Sequence, residues 1–267
     1  MSTPNNITLI GCGKMGSAMA QGWLSSSLDI QLTIIEPNDI AVEGAHHFKT
    51  INNAQSALEK TDIIVLAVKP QIMSDVCAAL KPHLKENALI LSIAAGQSIA
   101  TFEGYLGGAQ PIIRAMPNTP AAIGKGISAA IANTHASEEQ KAIAHKLLES
   151  AGKVEWLNDE TLMDAVTAVS GSGPAYVFYL IEMLSHAGTK AGLPADMAMS
   201  LARQTVIGSA ALSEAESQAD AATLRKNVTS PGGTTAAALD VLMNGETQEI
   251  FDKAIEAAKT RSRELSS

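Results

Sequence analysis

The sequence predicts an α/β protein in which a mainly parallel, doubly wound sheet precedes an all-helical region. Short β-branched runs alternate with helix-length stretches through residues 1–158, the pattern of strands joined by helical crossovers. The first run leads straight into a glycine-rich turn and then a helical stretch. Beyond residue 158 the strand-like runs cease, and Ala, Leu and Met recur at helical spacing as far as Leu265.

Taken along the chain, strands are expected at residues 7–10, 31–36, 63–68, 88–94, 111–116, 126–131 and 153–157. Most are near-continuous apolar runs, as befits strands covered on both faces. Helices are expected over 15–26, 70–80 and 137–151, with Pro70 in a first turn, where its missing N–H costs nothing. The helical region is cut by Gly192-Leu193-Pro194 and Pro231-Gly232-Gly233. Its stretch 176–184 is apolar almost all round, which for a helix in water means burial on all sides. A domain this small supplies such cover poorly, so a dimer interface is expected to complete it. The domains are accordingly set at 1–158 and 159–267.

Bulk properties exclude several functions. A formal net charge of −8 argues against a nucleic-acid surface, which needs Lys and Arg in excess. The apolar run 7–10 is too short for a signal peptide, and 175–184 contains Glu182 and is too short to span a bilayer. Two cysteines, Cys12 and Cys77, make no disulfide framework and fit a reducing compartment, so a cytoplasmic, membrane-free protein is expected. His46 and His47 are adjacent, and His83, His135, His145 and His186 are scattered, so no metal site is expected.

The glycine-rich turn carries the first chemical signal. Ile10 runs into Gly11-Cys12-Gly13-Lys14-Met15-Gly16 and then a helix. The three glycines serve a tight turn, close approach of backbone to a pyrophosphate, and close helix–sheet packing. The helix start aims unpaired N–H groups at the phosphates. Alone the motif is weak; between a strand and a helix, with Glu36 ending the next strand, it points to a Rossmann-like dinucleotide site. A carboxylate at Glu36 would accept from the adenine-side ribose hydroxyls and repel a 2′-phosphate, and no Lys or Arg stands between Glu36 and His47.

Further motifs follow in order: Ala67-Val68-Lys69-Pro70-Gln71, Arg114-Ala115-Met116-Pro117-Asn118-Thr119-Pro120, Val169-Ser170-Gly171-Ser172-Gly173-Pro174-Ala175-Tyr176 and Ser230-Pro231-Gly232-Gly233-Thr234-Thr235. With the glycine turn, they make the chain resemble the pyrroline-5-carboxylate reductases over essentially its whole length, the last two motifs most specifically. The resemblance implies a helical, substrate-binding dimerisation domain and reduction of the C=N bond of 1-pyrroline-5-carboxylate to L-proline, the final step of proline biosynthesis. NADPH or NADH would be the cofactor, in a homodimer that is often built into larger rings. Dinucleotide contacts then fall on Ile10, Gly11, Cys12, Gly13, Lys14, Met15, Gly16, Glu36, Asn53, Ala67, Val68, Lys69, Pro70 and Asn227. Substrate contacts fall on Val228, Ser230, Gly232, Gly233, Thr234 and Thr235, with the Thr235 hydroxyl facing the imine nitrogen.

Local chemistry agrees at the last motif. Pro231 stiffens the loop, Gly232 and Gly233 leave N–H groups uncovered, and Thr234 or Thr235 is expected to cap a helix over 236–244. Such N–H groups make a nest for one carboxylate. Two rivals stand beside this function. A β-hydroxyacid dehydrogenase would want a helical lysine to take a hydroxyl proton, and residues 171–184 carry none. A nucleotide-sensing protein without turnover would have no use for the carboxylate nest.

Overall fold

The computed structural model describes residues 5–266. Eight strands form one sheet: β1 (Asn5–Ile10), β2 (Ile30–Ile35), β3 (Ala45–Phe48), β4 (Ile63–Leu66), β5 (Leu89–Ser92), β6 (Ile112–Met116), β7 (Gly126–Ala132) and β8 (Gly152–Trp156). Their order is β3-β2-β1-β4-β5-β6-β7-β8, parallel throughout except where β7 returns against β6. The order reverses between β1 and β4, and in an open α/β sheet ligands bind at such a switch point, outside the carboxyl ends of the strands.

Alternate side chains of the central strands feed two cores. Leu9, Ile63, Val65, Leu89 and Leu91 pack on one face with Met19 and Trp23 of α1 (Lys14–Ser25), joined by Leu147 and Leu148. Ile10, Ile64, Leu66 and Ile90 pack on the other with Met73, Cys77, Phe102 and Leu106. The short α2 (Gln55–Leu58), α3 (Met73–Leu80) and α4 (Ile99–Leu106) serve that second face, while α5 (Glu138–Glu149) brings Leu147 and Leu148 to the first. The buried Trp23 indole donates to the Leu147 carbonyl at 2.8 Å, which ties α1 to α5 and leaves its polar atom satisfied.

Several elements differ from expectation. β3 is a short, half-buried edge strand whose polar His46 and His47 hide its character. The expected helix over 70–80 starts as a 3-10 turn, Pro70–Ile72, before α3. α4 has no counterpart in the sequence reading; Ser98 caps it, accepting from the Thr101 N–H. The helix expected over 236–244 is α10 (Thr234–Leu242), one of a set that continues α6 (Met163–Val166), α7 (Gly173–Lys190), α8 (Ala195–Ala215) and α9 (Ala221–Asn227) and ends with α11 (Glu246–Ser266).

The first compact unit runs to Gly171 and regains the chain from Ala258; the second is Ser172–Ala257. The segment after 158 stays with the first unit because its charges are used there. Glu160 accepts from the Arg114 guanidinium at 2.7 Å and from the Ile99 N–H at 3.0 Å, and Arg114 is only 5% exposed. Asp164 accepts from the Ser262 hydroxyl at 2.7 Å.

In the second unit α7 and α8 pack through a turn at Gly192, whose φ of +105° suits glycine. A Cβ on Gly188 would lie 3.3 Å from that of Ala198, so the helices approach closely there. The chain covers 176–184 poorly, as expected of so small a domain: Phe178 and Tyr179 are 60% and 59% exposed, and Leu180, Met183 and Leu184 are exposed too. One helical hairpin has too little mass to surround a helix that is apolar all round. Among the described residues no helix is long and apolar enough to cross a membrane.

Candidate functional site

Three loops are brought level at the carboxyl edge by the sheet ladder itself. The Gly11 N–H donates to Ile35 O at 2.9 Å, the Ala67 N–H to Ile10 O at 2.8 Å, and the Ile93 N–H to Leu66 O at 3.0 Å. The glycines of the first loop have separable duties. Gly11 has φ +92°, and a Cβ there would lie 2.9 Å from the Ala67 backbone. A Cβ on Gly16 would lie 2.4 Å from the Gly11 carbonyl oxygen. Gly13, the N-cap of α1, has nothing within 4 Å of its Cβ position and no side-chain cap. Its bareness is not explained by protein packing; it suits a ligand that must approach the backbone. Lys14 and Met15 open α1, whose first N–H groups lack intrahelical partners.

Glu36 follows β2 and reaches back to this loop. Its carboxylate accepts from the Cys12 N–H at 2.9 Å, the Asn38 N–H at 3.2 Å and the Asn38 side-chain amide at 2.7 Å. Burial pushes its pKa up, but these donors outweigh burial and hold the carboxyl below its ordinary range. The Cys12 thiol is pushed up by burial first and by Glu36 second, and Cys77 is pushed up to about 11 by burial, so neither is activated. His47 donates to the Glu36 carbonyl at 2.7 Å, and Lys49 pairs with Asp39 at 2.7 Å rather than with Glu36. Asn53 lies in the 3-10 turn Asn52–Ala54 after β3, bonded to Thr50. Beside it, Thr50, Ile51, Asn52, Ile72, Asp75 and Val76 line an open cleft of about 350 Å³.

On the other side of the switch point stand Ala67, Val68 and Lys69, with Pro70 opening the next turn. The sequence reading missed their neighbours Ala94, Ala95 and Gly96 by assigning the strand as far as 94. β5 ends at Ser92, so these small residues form a loop on the same edge, with Gly96 at φ +70°. Their run of Ala-Ala-Gly directly after an apolar strand was the available signal. Among the described residues no cluster of three His, Cys, Asp or Glu side chains is placed to hold a metal ion.

The remaining candidates lie in the second unit. Asn227 ends α9, and Val228 is exposed beyond it. Ser230 then closes a turn by accepting the Gly233 N–H at 3.0 Å, and Gly232 has φ +68°. The expected threonine cap is corrected here: Gly233 is the N-cap of α10, and no side chain caps it. Thr234 and Thr235 occupy the first helical turn instead, because Gly233 already adopts the extended backbone that a cap requires. The N–H groups of Thr234, Thr235 and Ala236 therefore have no intrahelical acceptor, while Ala237 bonds back to Gly233. A threonine cap would have consumed one of these donors; without it they stay available.

A family model described as pyrroline-5-carboxylate reductase dimerisation matches residues 160–265, and one described as NADP oxidoreductase, coenzyme F420-dependent, matches residues 6–96. The pyrroline-5-carboxylate reductase of Pseudomonas aeruginosa is 40% identical over 269 residues, spanning 99% of this chain and 98% of that protein. Among solved structures, a pyrroline-5-carboxylate reductase from Coxiella burnetii superposes with a TM-score of 0.91 at 35% identity, covering all (100%) of both chains. The Plasmodium falciparum pyrroline carboxylate reductase with NADP bound gives 0.85 at 31% identity, again over 100% of both.

Proposed function

The chain belongs to the pyrroline-5-carboxylate reductase family, and on that premise we propose that its carboxyl-edge loops hold the dinucleotide and its 230–235 loop the substrate carboxylate. The protein is an oxidoreductase that reduces the C=N bond of 1-pyrroline-5-carboxylate to proline with NADPH or NADH. The observation that carries the site assignment is the bare start of α10, where three N–H groups stand without an intrahelical acceptor or a side-chain cap. They suit the one carboxylate of this substrate.

The residues of the first unit fit a dinucleotide. Gly13 leaves its backbone open to a pyrophosphate, and the N–H groups at the start of α1 bind it. Glu36 faces the adenine-side ribose, with Asn53 nearby, while Ala67, Val68, Lys69, Pro70 and the 94–96 loop line the nicotinamide half. When bound, the dinucleotide supplies the hydride. The chain's own task is then to fix the imine and to polarise it. Ser230, Gly232 and Gly233 shape the carboxylate nest, Asn227 and Val228 border it, and the half-buried Thr235 hydroxyl hydrogen-bonds the imine nitrogen. A threonine is no strong acid, so the proton comes from water or arrives on an iminium. Holding the two reactants in register does most of the catalysis.

A second copy of the chain covers the exposed apolar face of α7, giving a homodimer that assembles further into a ring. Two unpaired cysteines support a cytoplasmic setting. The test is loss of absorbance at the reduced-nicotinamide band with the cyclic imine, compared with a β-hydroxyacid in the oxidative direction. Turnover is expected with the imine alone, and Thr235→Ala should lower it by about tenfold to a hundredfold, the worth of one hydrogen bond to a charged group. Oxidation of the hydroxyacid, or dinucleotide binding with no turnover of either, would overturn the proposal.

A further inference from the structure

The chain leaves the first unit through a π-helical turn, Thr167–Gly171. Carbonyl groups at the end of a helix lack helical donors, and Ser170 is left especially bare. Its α-helical donor would be the N–H of residue 174, which is proline and has none. The next amide, that of Ala175, is committed to the Ser172 carbonyl at 3.0 Å. Asn118 supplies the missing donor, its side-chain Nδ2 reaching the Ser170 carbonyl at 3.1 Å. The same side chain accepts the Ile127 N–H through Oδ1 at 3.0 Å, and its backbone carbonyl accepts the Ala121 N–H at 3.1 Å. Contact is tight around this clamp: a Cβ on Gly171 would lie 2.7 Å from Cε of Met116.

The location of the clamp gives it a consequence for the reaction. β6 runs parallel to β5, so Pro117, Asn118 and Thr119 leave it on the carboxyl edge. The strand order puts them beyond β4 and β5, on the nicotinamide side of the switch point. The 3-10 turn that follows, Thr119–Ile123, packs on α1, the helix of the phosphate loop. One side chain thus joins the nicotinamide-side loop, the start of β7 and the π-turn. Hydride transfer demands reacting atoms about 3–3.5 Å apart, and a displacement near 1 Å can cost about a hundredfold. π-Bulges recur at functional sites.

We propose that Asn118 is a positioning residue for hydride transfer, fixing the nicotinamide-side loop against the π-turn by pairing the carbonyl that Pro174 leaves without a donor. The assignment rests on the proposal that the carboxyl edge holds the dinucleotide; Asn118 acts through the loop it holds, since its side chain is committed to Ser170 and Ile127. Asn118→Leu keeps the side-chain volume and removes both side-chain hydrogen bonds. Its kcat for the cyclic imine is expected to fall about ten- to a hundredfold, with dinucleotide Kd from calorimetry close to wild type and faster amide exchange over 167–171. Pro174→Ala restores an N–H to residue 174 and with it a donor for Ser170 but leaves the loop untethered, so in that background the stability lost by Asn118→Leu should shrink while its kcat loss persists. If Asn118 served only to satisfy that carbonyl, Pro174→Ala would restore kcat together with the melting temperature. Should Asn118→Leu fail to fold, Asn118→Asp, which keeps the acceptor for Ile127, is measured in the same way. Full turnover in the folded variant, a matching loss of dinucleotide affinity, or recovery of kcat by Pro174→Ala would overturn the proposal. Wild-type enzyme assayed alongside separates the two claims. An inactive wild type overturns the reaction, whereas an active wild type with an equally active variant overturns only the role of Asn118.

Discussion

Gly13 and Gly16 stand three residues apart in one loop, yet a side chain at each meets a different obstacle. At Gly16 it meets the Gly11 carbonyl oxygen at 2.4 Å, which is backbone and cannot give way cheaply. Gly16→Ala should therefore lower stability by about 1–3 kcal/mol, in line with overpacking, and lose dinucleotide binding only as folding is lost. At Gly13 the space is open, so Gly13→Ala should melt close to wild type while its dinucleotide affinity drops. Calorimetry and thermal melts of the pair check this; equal destabilisation by both would contradict the division of duties. Glu36 makes a second prediction at this scale. N–H donors hold its carboxylate in the charged form against the glycine-rich loop, and Lys49 pairs with Asp39 rather than with Glu36. A 2′-phosphate alongside would meet repulsion of about 1–4 kcal/mol across dielectrics from water to a protein surface. NADH should thus be used at least as well as NADPH, and Glu36→Ser should shift kcat/KM toward NADPH; a strong wild-type preference for NADPH that Glu36→Ser leaves alone would contradict it. The glycine turn and the place of Glu36 after β2 were legible because backbone geometry ties them to fixed offsets. The threonine cap was misplaced because an extended Gly233 before two threonines reads the same in sequence whichever residue ends the loop.

At the scale of elements, the buried strands were legible because a run such as 63–66 is apolar at every position and needs both faces covered. β3 was not, since an edge strand of four residues needs little apolar character, and its pairing with β2 is a tertiary fact. α4 escaped because eight residues carry too few turns for a clear period. α7 was legible as a helix and as one that its own small domain covers poorly, because its apolar residues run almost all round it. Its exposed Phe178, Tyr179, Met183 and Leu184 make an apolar surface of the kind that marks an interface. Light scattering should return at least a dimer for the wild type. Replacing Phe178 and Tyr179 with Asp should shift the protein toward monomer and lower its melting temperature; a wild-type monomer, or a double variant with unchanged mass, would contradict the assignment of this face.

Over the whole molecule the sequence boundary and the packing boundary part company. The dimerisation match begins at residue 160, whereas the first compact unit holds the chain to Gly171 and takes back the end of α11. Periodicity changes where strands stop, but packing follows where Glu160 and Asp164 find Arg114 and Ser262, and those partners lie too far along the chain for spacing to reveal them. The Asn118 clamp was hidden for the same reason, its donor and acceptor lying 52 positions apart. Function was more legible than packing because its motifs are local: a glycine turn between β1 and α1, and Ser230-Pro231-Gly232-Gly233-Thr234-Thr235 at the start of α10. The reaction they serve is hydride transfer to a C=N bond. The most direct test supplies reduced dinucleotide carrying deuterium at the transferable position of the nicotinamide, together with 1-pyrroline-5-carboxylate, and reads the product by mass spectrometry. One deuterium is expected in proline, on the ring carbon that was the imine carbon; proline formed without deuterium, or no proline at all, would contradict the account.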